Sequence, residues 1–179
     1  MKNDDLIYYY KDSLKSERLI THFLNLNYIK DWSDFFKEKE ATKYFLPFDF
    51  NTNEEIAEYW IKTQIKRYEE NKFGLQAILN IETNEFIGQC GLLTQVVDDK
   101  KELEVGYHVM KKHWGKGFAP EAAKLFIDFA FENNLTKSII SIIHKENIKS
   151  QKVALKNGLT KEKETNWKGM DVYIYRIEK

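Results

Sequence analysis

Two glycines flank one lysine at Gly115-Lys116-Gly117, directly before the stretch "FAPEAAKLFIDFAF" (118–131). The first N–H groups of a helix lack intrahelical partners and sit at the positive end of its dipole. Glycines ahead of such a helix let several N–H groups face one point, with no Cβ in the way. The chemistry this suits is anion binding, phosphate above all. Pro120 fits the first helical turn, where its missing N–H is no loss, and Glu121 suits the dipole. The turn lacks the P-loop run G-x-x-x-x-G-K followed by Ser or Thr. Nor is it the dinucleotide fingerprint G-x-G-x-x-G, because Pro120 stands at the third glycine. On spacing alone it is either a phosphate cradle or a plain strand-to-helix turn.

Other polar groups lie nearby in sequence. Glu104 belongs to "ELEVGYHVM" (102–110), on the side shared with Glu102, Gly106 and His108. A carboxylate there is either a proton acceptor or one more charge on a solvated sheet face, and the spacing leaves both open. His108 is expected to titrate near neutrality unless it is structural. Asn147 and Ser150 open "NIKSQKVALKNG" (147–158), where Asn suits an N-cap and Ser a first helical turn. The single cysteine, Cys90, excludes an internal disulfide and a thiolate metal cluster, and reads as core. His22, His113 and His144 show no ligand spacing with Cys90 or carboxylates, so no metal is expected.

The elements that must position these groups follow from hydrophobic period. "RLITHFL" (18–24) alternates as a strand, and residues 29 to 45 place Trp32, Phe35, Phe36 and Tyr44 at helical spacing. Thr52 and Glu55 form a capping-box pattern ahead of a helix that puts Ile56, Ala57, Trp60, Ile61, Gln64 and Tyr68 on one side. The period then changes to two. Residues 74–81, a polar turn at 82–85 and residues 86–97 read as a hairpin, "DDKK" (98–101) as a charged turn, and 102–110 as a third strand. Gly88, Gly91 and Gly106 mark bulges or close backbone approach. A helix over 118–133, a buried strand over 137–144, a helix over 147–158 ending at Gly158, and a final strand over 170–178 complete a mixed α/β sheet. No repeat or linker divides residues 1–179, so a single domain is expected.

Composition narrows the classes. The 28 basic and 28 acidic residues cancel, which disfavours a nucleic-acid binder; only "HKENIKSQK" (144–152) hints at one. An aromatic content of 15% favours a packed globule over disorder. No run reaches the ~18 apolar residues of a membrane span, and no signal-like segment follows Met1, so a cytoplasmic protein is expected.

The chain resembles the GNAT superfamily of acyl-CoA-dependent N-acetyltransferases, and its RimJ/RimL-like branch in particular. Lys112-His113-Trp114-Gly115-Lys116-Gly117 resembles the superfamily's pyrophosphate loop, with Lys112 where Gln or Arg is usual. The run from Trp114 to Ala122 is similar to the branch's W-G-x-G, Tyr or Phe, A-x-E-A. "SERLI" (16–20), "LEVGYHV" (103–109) and "NIKSQKVALKNGL" (147–159) match further branch segments in order, with Leu159 where Phe is usual.

The resemblance implies a single-domain fold whose mixed sheet is splayed at the CoA site and flanked by helices. It implies acetyl-CoA as cosubstrate and direct attack by a primary amine of a protein N-terminus or small molecule. The pyrophosphate would rest on backbone N–H groups of Gly115, Lys116, Gly117, Phe118 and Ala119, with Lys112 as a nearby cation. The pantetheine would lie beside His108 and Val109, with Val109 N–H on the thioester oxygen. Glu104 would be the base, Asn147 a contact of the pantetheine arm, and Ser150 the donor to the thiolate. The tyrosine that many members place four residues before the last glycine is Ala154 here. That departure leaves an alternative, a catalytically silent CoA-binding or sensing module. A monomer or homodimer is expected, with neither nucleic acid nor membrane as partner.

Overall fold

The computed structural model describes residues 6–179. One seven-stranded sheet runs through it. The strands are β1 (Leu19–Phe23), β2 (Leu75–Asn80), β3 (Phe86–Val97), β4 (Lys100–Val109), β5 (Ser138–His144), β6 (Thr160–Trp167) and β7 (Met170–Glu178). Their spatial order is β1-β2-β3-β4-β5-β7-β6. Every neighbouring pair is antiparallel except β4 with β5. The helices are α1 (Ile29–Lys37), α2 (Lys39–Thr42), α3 (Asn53–Glu69), α4 (Phe118–Glu132) and α5 (Ile148–Lys156).

Alternation divides the sheet into two packed faces. Leu103, Val105 and Val109 of β4 join Ala122, Phe126, Phe129 and Ala130 of α4 in one core. The opposite face packs Trp32, Phe35 and Phe36 of α1 and Ala57 and Ile61 of α3 over β2 and β3. Cys90 is a fully buried core residue. The capping box forms as the sequence predicts: Thr52 Oγ1 accepts from Glu55 N–H at 3.1 Å, and Glu55 Oε2 accepts from Thr52 N–H at 3.0 Å. Gly158 has φ +81° and closes α5, with Leu159 N–H donating to Ala154 C=O at 3.1 Å.

Two expectations need correction, and one strand is added. The helical pattern of 29–45 breaks at Glu38, whose extended backbone (φ −92°, ψ 93°) separates α1 from α2. The charged turn shrinks to Asp98 and Asp99, both with positive φ, while Lys100 and Lys101 enter β4. Strand β6 was not foreseen: it is a polar edge strand, "TKEKETNW", with no buried residue to carry a periodic signal. Among the described residues, no helix is long and apolar enough to cross a membrane.

Candidate active site at the β4–β5 gap

The parallel pair β4–β5 is joined in register only at Glu104 and Ile140. A parallel ladder would next pair Ile142 N–H with Val105 C=O. Instead, Ile142 N–H donates to Glu104 Oε1 (3.3 Å), and Ser141 Oγ donates to Val105 C=O (3.2 Å). Two side chains thus replace one ladder bond. Beyond this point β4 stays bonded to β3, and β5 to β7, so their facing edges part.

The backbone groups lining this gap follow from alternation. Met110 N–H bonds to Ile87 C=O at 2.9 Å, so the preceding residue, Val109, turns its N–H and C=O away from β3 and toward the gap. Val109 C=O accepts from Trp114 Nε1 at 2.8 Å. Its N–H has no partner among the described residues. Gly88 permits the close packing here, because a Cβ on it would meet His108 O at 2.2 Å.

The turn after β4 supplies a row of donors. Gly115 and Gly117 have φ of +76° and +81°, the left-handed region that favours glycine. Gly117 is the N-cap of α4. Among the described residues, the N–H groups of Gly115, Lys116, Gly117, Phe118 and Ala119 have no partner. A Cβ built on Gly115 would meet nothing within 4 Å, so the turn faces open space. Five free donors at a helix N-terminus fit an anion such as a pyrophosphate. The nearby cation expected at Lys112 is already paired with Glu85 at 2.7 Å. The Phe118 side chain packs into the core under Arg18.

On the far wall, Asn147 caps α5 by accepting from Ser150 N–H at 3.1 Å. Ser150 Oγ donates to the Tyr107 phenol oxygen at 3.1 Å, while the phenol O–H donates to Ser150 C=O at 2.9 Å. Burial pushes the Tyr107 phenol up to about 12. Ala154 is buried in the core. Tyr107, from β4, sets a phenol against Ser150 in the first turn of α5.

Glu104 and His108 share the α1/α3 face of β4. Glu104 is only 8% exposed, so the solvated-face reading fails. Its Oε2 accepts from Gln95 Nε2 at 2.8 Å. Burial raises its pKa, opposed by the bonds from Gln95 and Ile142 and by the Arg67 charge. His108 is ringed by Trp32, Phe35, Phe45 and Trp60 at centroid distances of 6.4, 6.1, 5.1 and 5.4 Å. Burial drops its pKa to about 4, so the expected titration near neutrality is corrected: the imidazole is neutral there.

A strap crosses the mouth of the gap. Glu40 of α2 pairs with Lys149 of α5 (2.5 Å) and with Lys111 beyond β4 (3.6 Å). Tyr44 stacks on His144 at 4.8 Å and donates to Glu146 C=O at 3.0 Å. In the run that hinted at nucleic acid, Lys145 and Lys149 are held by Glu164 and Glu40.

An open sheet parted between two parallel strands, with a glycine turn and a helix N-terminus at the parting, defines a class of acyl-group transferases. Residues 18–160 match the acetyltransferase (GNAT) domain model. The chain belongs to this family of acetyl-CoA-dependent acetyltransferases. It is 29% identical over 178 residues to the uncharacterized N-acetyltransferase p20 of Bacillus licheniformis, covering 94% of this chain and 97% of that one. An acetyltransferase structure from Agrobacterium tumefaciens superposes with a TM-score of 0.79 at 26% identity, covering 97% of this chain and 98% of that one. The fold is also that of RimL, an alpha-N-protein acetyltransferase of ribosomal L7/L12 solved with coenzyme A. That match has a TM-score of 0.73 at 14% identity and covers 94% of this chain and 98% of RimL.

Proposed function

We propose that this protein moves the acetyl group of acetyl-CoA directly to a primary amine of a protein N-terminus or a small molecule. The carrying observation is the row of five unpaired N–H groups from Gly115 to Ala119 at the mouth of a gap into which Val109 N–H also points. Acetyl-CoA supplies an activated thioester. The N–H groups of the turn would hold its pyrophosphate, and Asn147 would contact the pantetheine arm. Val109 N–H would donate to the thioester oxygen as charge gathers there. Ser150 would turn its O–H from the Tyr107 oxygen to the departing sulfur and donate a hydrogen bond to the thiolate. Lys112 serves at most at long range, being paired with Glu85.

Glu104 would take the ammonium proton through water, and the upward push of burial on its pKa suits a base. An α-amino group, with a pKa of about 8, needs little such help. The aromatic residues around a neutral His108 favour an amine carried beside an apolar group over a polycation. The W-G-K-G-F-A-P-E-A run and the RimL fold support the RimJ/RimL-like branch and a peptide N-terminus.

Thiol release from acetyl-CoA, measured with a free N-terminal peptide, an apolar amino-acid amide, spermidine and an aminoglycoside, tests this reading. Release with the first two and little with the polycations is expected. Binding of CoA without release from any amine would instead support the silent module. Glu104→Gln should lower kcat near pH 7 by about tenfold and less at pH 9, where the amine is already deprotonated.

A further inference from the structure

Glu121, in the first turn of α4, has both carboxylate oxygens occupied by a segment far away in sequence. Oε1 accepts from the Ser16 hydroxyl at 2.7 Å and from Arg18 N–H at 2.9 Å. Oε2 accepts from Arg18 Nε at 2.8 Å and lies 2.6 Å from Nη2. The remaining guanidinium nitrogen, Nη1, donates to Lys116 C=O at 3.0 Å. The same guanidinium lies over the Phe118 ring, 4.4 Å from its centroid. One side chain from the edge of the sheet therefore grips residues 116, 118 and 121.

This grip bears on where the free donors point. Across a trans peptide, the C=O of one residue and the N–H of the next face opposite sides. Arg18 draws Lys116 C=O toward itself, so Gly117 N–H is turned to the other side of the loop. Arg18 Nη2 would lie 3.4 Å from a Cβ at Gly117, so the guanidinium also backs the turn directly. Meanwhile the Arg18 charge is compensated by Glu121 and is poorly suited to act as a bare phosphate ligand.

We propose that the Arg18–Glu121 pair is a positioning clamp that fixes the direction of the Gly117 N–H before the anion arrives. The proposal rests on the pyrophosphate reading of the turn. It competes with a simpler role, in which Arg18 only adds positive charge near the phosphates. The two roles predict opposite signs. Glu121→Gln leaves Arg18 uncompensated, so charge alone would tighten CoA binding, whereas a loosened clamp would weaken it. Arg18→Lys keeps the charge but loses the planar fork that reaches Glu121 and Lys116 together.

The test is calorimetric titration of the full chain with CoA, beside steady-state kinetics in acetyl-CoA. For both Glu121→Gln and Arg18→Lys we expect a Kd weakened about tenfold, with KM for acetyl-CoA rising more than kcat falls. Glu162→Gln, which loosens Arg176 at the far sheet edge, controls for general loss of stability and should leave Kd within about twofold. Tighter binding by Glu121→Gln, or an unchanged Kd in Arg18→Lys, would overturn the clamp. Equal weakening in the Glu162 control would overturn it as well. If the unaltered protein itself fails to bind CoA, the pyrophosphate reading falls, and the clamp with it.

Discussion

The two ends of the β4–β5 seam are built from the same strands on opposite plans. At the closed end, Arg176 of β7 reaches across β5 and grips Glu102 of β4 with two bonds, at 2.8 and 3.0 Å. It also bonds Ser138 at 2.8 Å and Glu162 at 3.0 Å. The hydrogen bond to Glu102 is the largest cause of an Arg176 pKa held above its ordinary value. At the open end no charged pair links β4 to β5 among the described residues. There the Val109 N–H and the glycine turn present donors toward the gap, while the hydroxyls of Tyr107 and Ser150 bond within their own pair. Glu104 stands at the division, and its carboxylate takes the Ile142 N–H that would otherwise extend the ladder. The contrast teaches that a sheet can be left unzipped at one end when the other is held by an ion-pair network.

The largest effect should come from the open end. Gly117 has φ +81°, which a β-branched residue adopts only with strain, and a Cβ there would approach Arg18. Gly117→Val should weaken CoA binding by about a hundredfold, and Lys116→Ala by about threefold or less, because backbone N–H groups rather than the lysine charge do the holding. Titration with CoA checks this; the reverse order would count against the cradle. At the closed end, Arg176→Met should cost stability instead. It strands Glu102, whose side chain is 14% exposed. A loss of roughly 3 kcal/mol in urea unfolding is expected, with CoA affinity changed by about twofold or less. If that substitution weakened CoA as much as Gly117→Val, the two ends would not be separable.

How much of this was legible in the sequence depends on the range of the interaction. The glycine turn, the capping box at Thr52 and the end of α5 at Gly158 are local, and residue type with spacing was enough to find them. The face of β4 carrying Leu103, Val105 and Val109 also followed from alternation. Glu104 could not be placed, because its burial depends on Gln95, Ile142 and Arg67 arriving from three other elements. Tyr107 and Ser150 meet across 43 residues, and Arg18 and Glu121 across 103. Both "SERLI" and the A-x-E-A run were visible as motifs, but nothing in either shows that they bind one another. β6 was missed for a different reason: an edge strand of alternating lysine and glutamate carries no apolar period.

The smallest effect concerns charge near the gap, and it sharpens the contrast through pH. The closed end keeps its charges by pairing them, while His108 near the open end sits among aromatic rings and stays neutral. Its pKa falls from an ordinary 6.5 to about 4 through burial. Between those values the unfolded chain binds a proton at this position that the folded chain refuses. Stability therefore rises with pH across that window, and acidification from pH 6.5 toward 4 removes it. Carboxylates also titrate there, so the informative quantity is a difference. His108→Phe keeps a ring against Trp60 and Phe45 and deletes the titrating group. Urea unfolding at pH 7 and pH 5 should show a smaller acid loss in His108→Phe than in the unaltered protein. Equal losses would mean that water reaches the imidazole and lets it charge in place, so that the face proposed to receive the amine is wet and tolerates a cation.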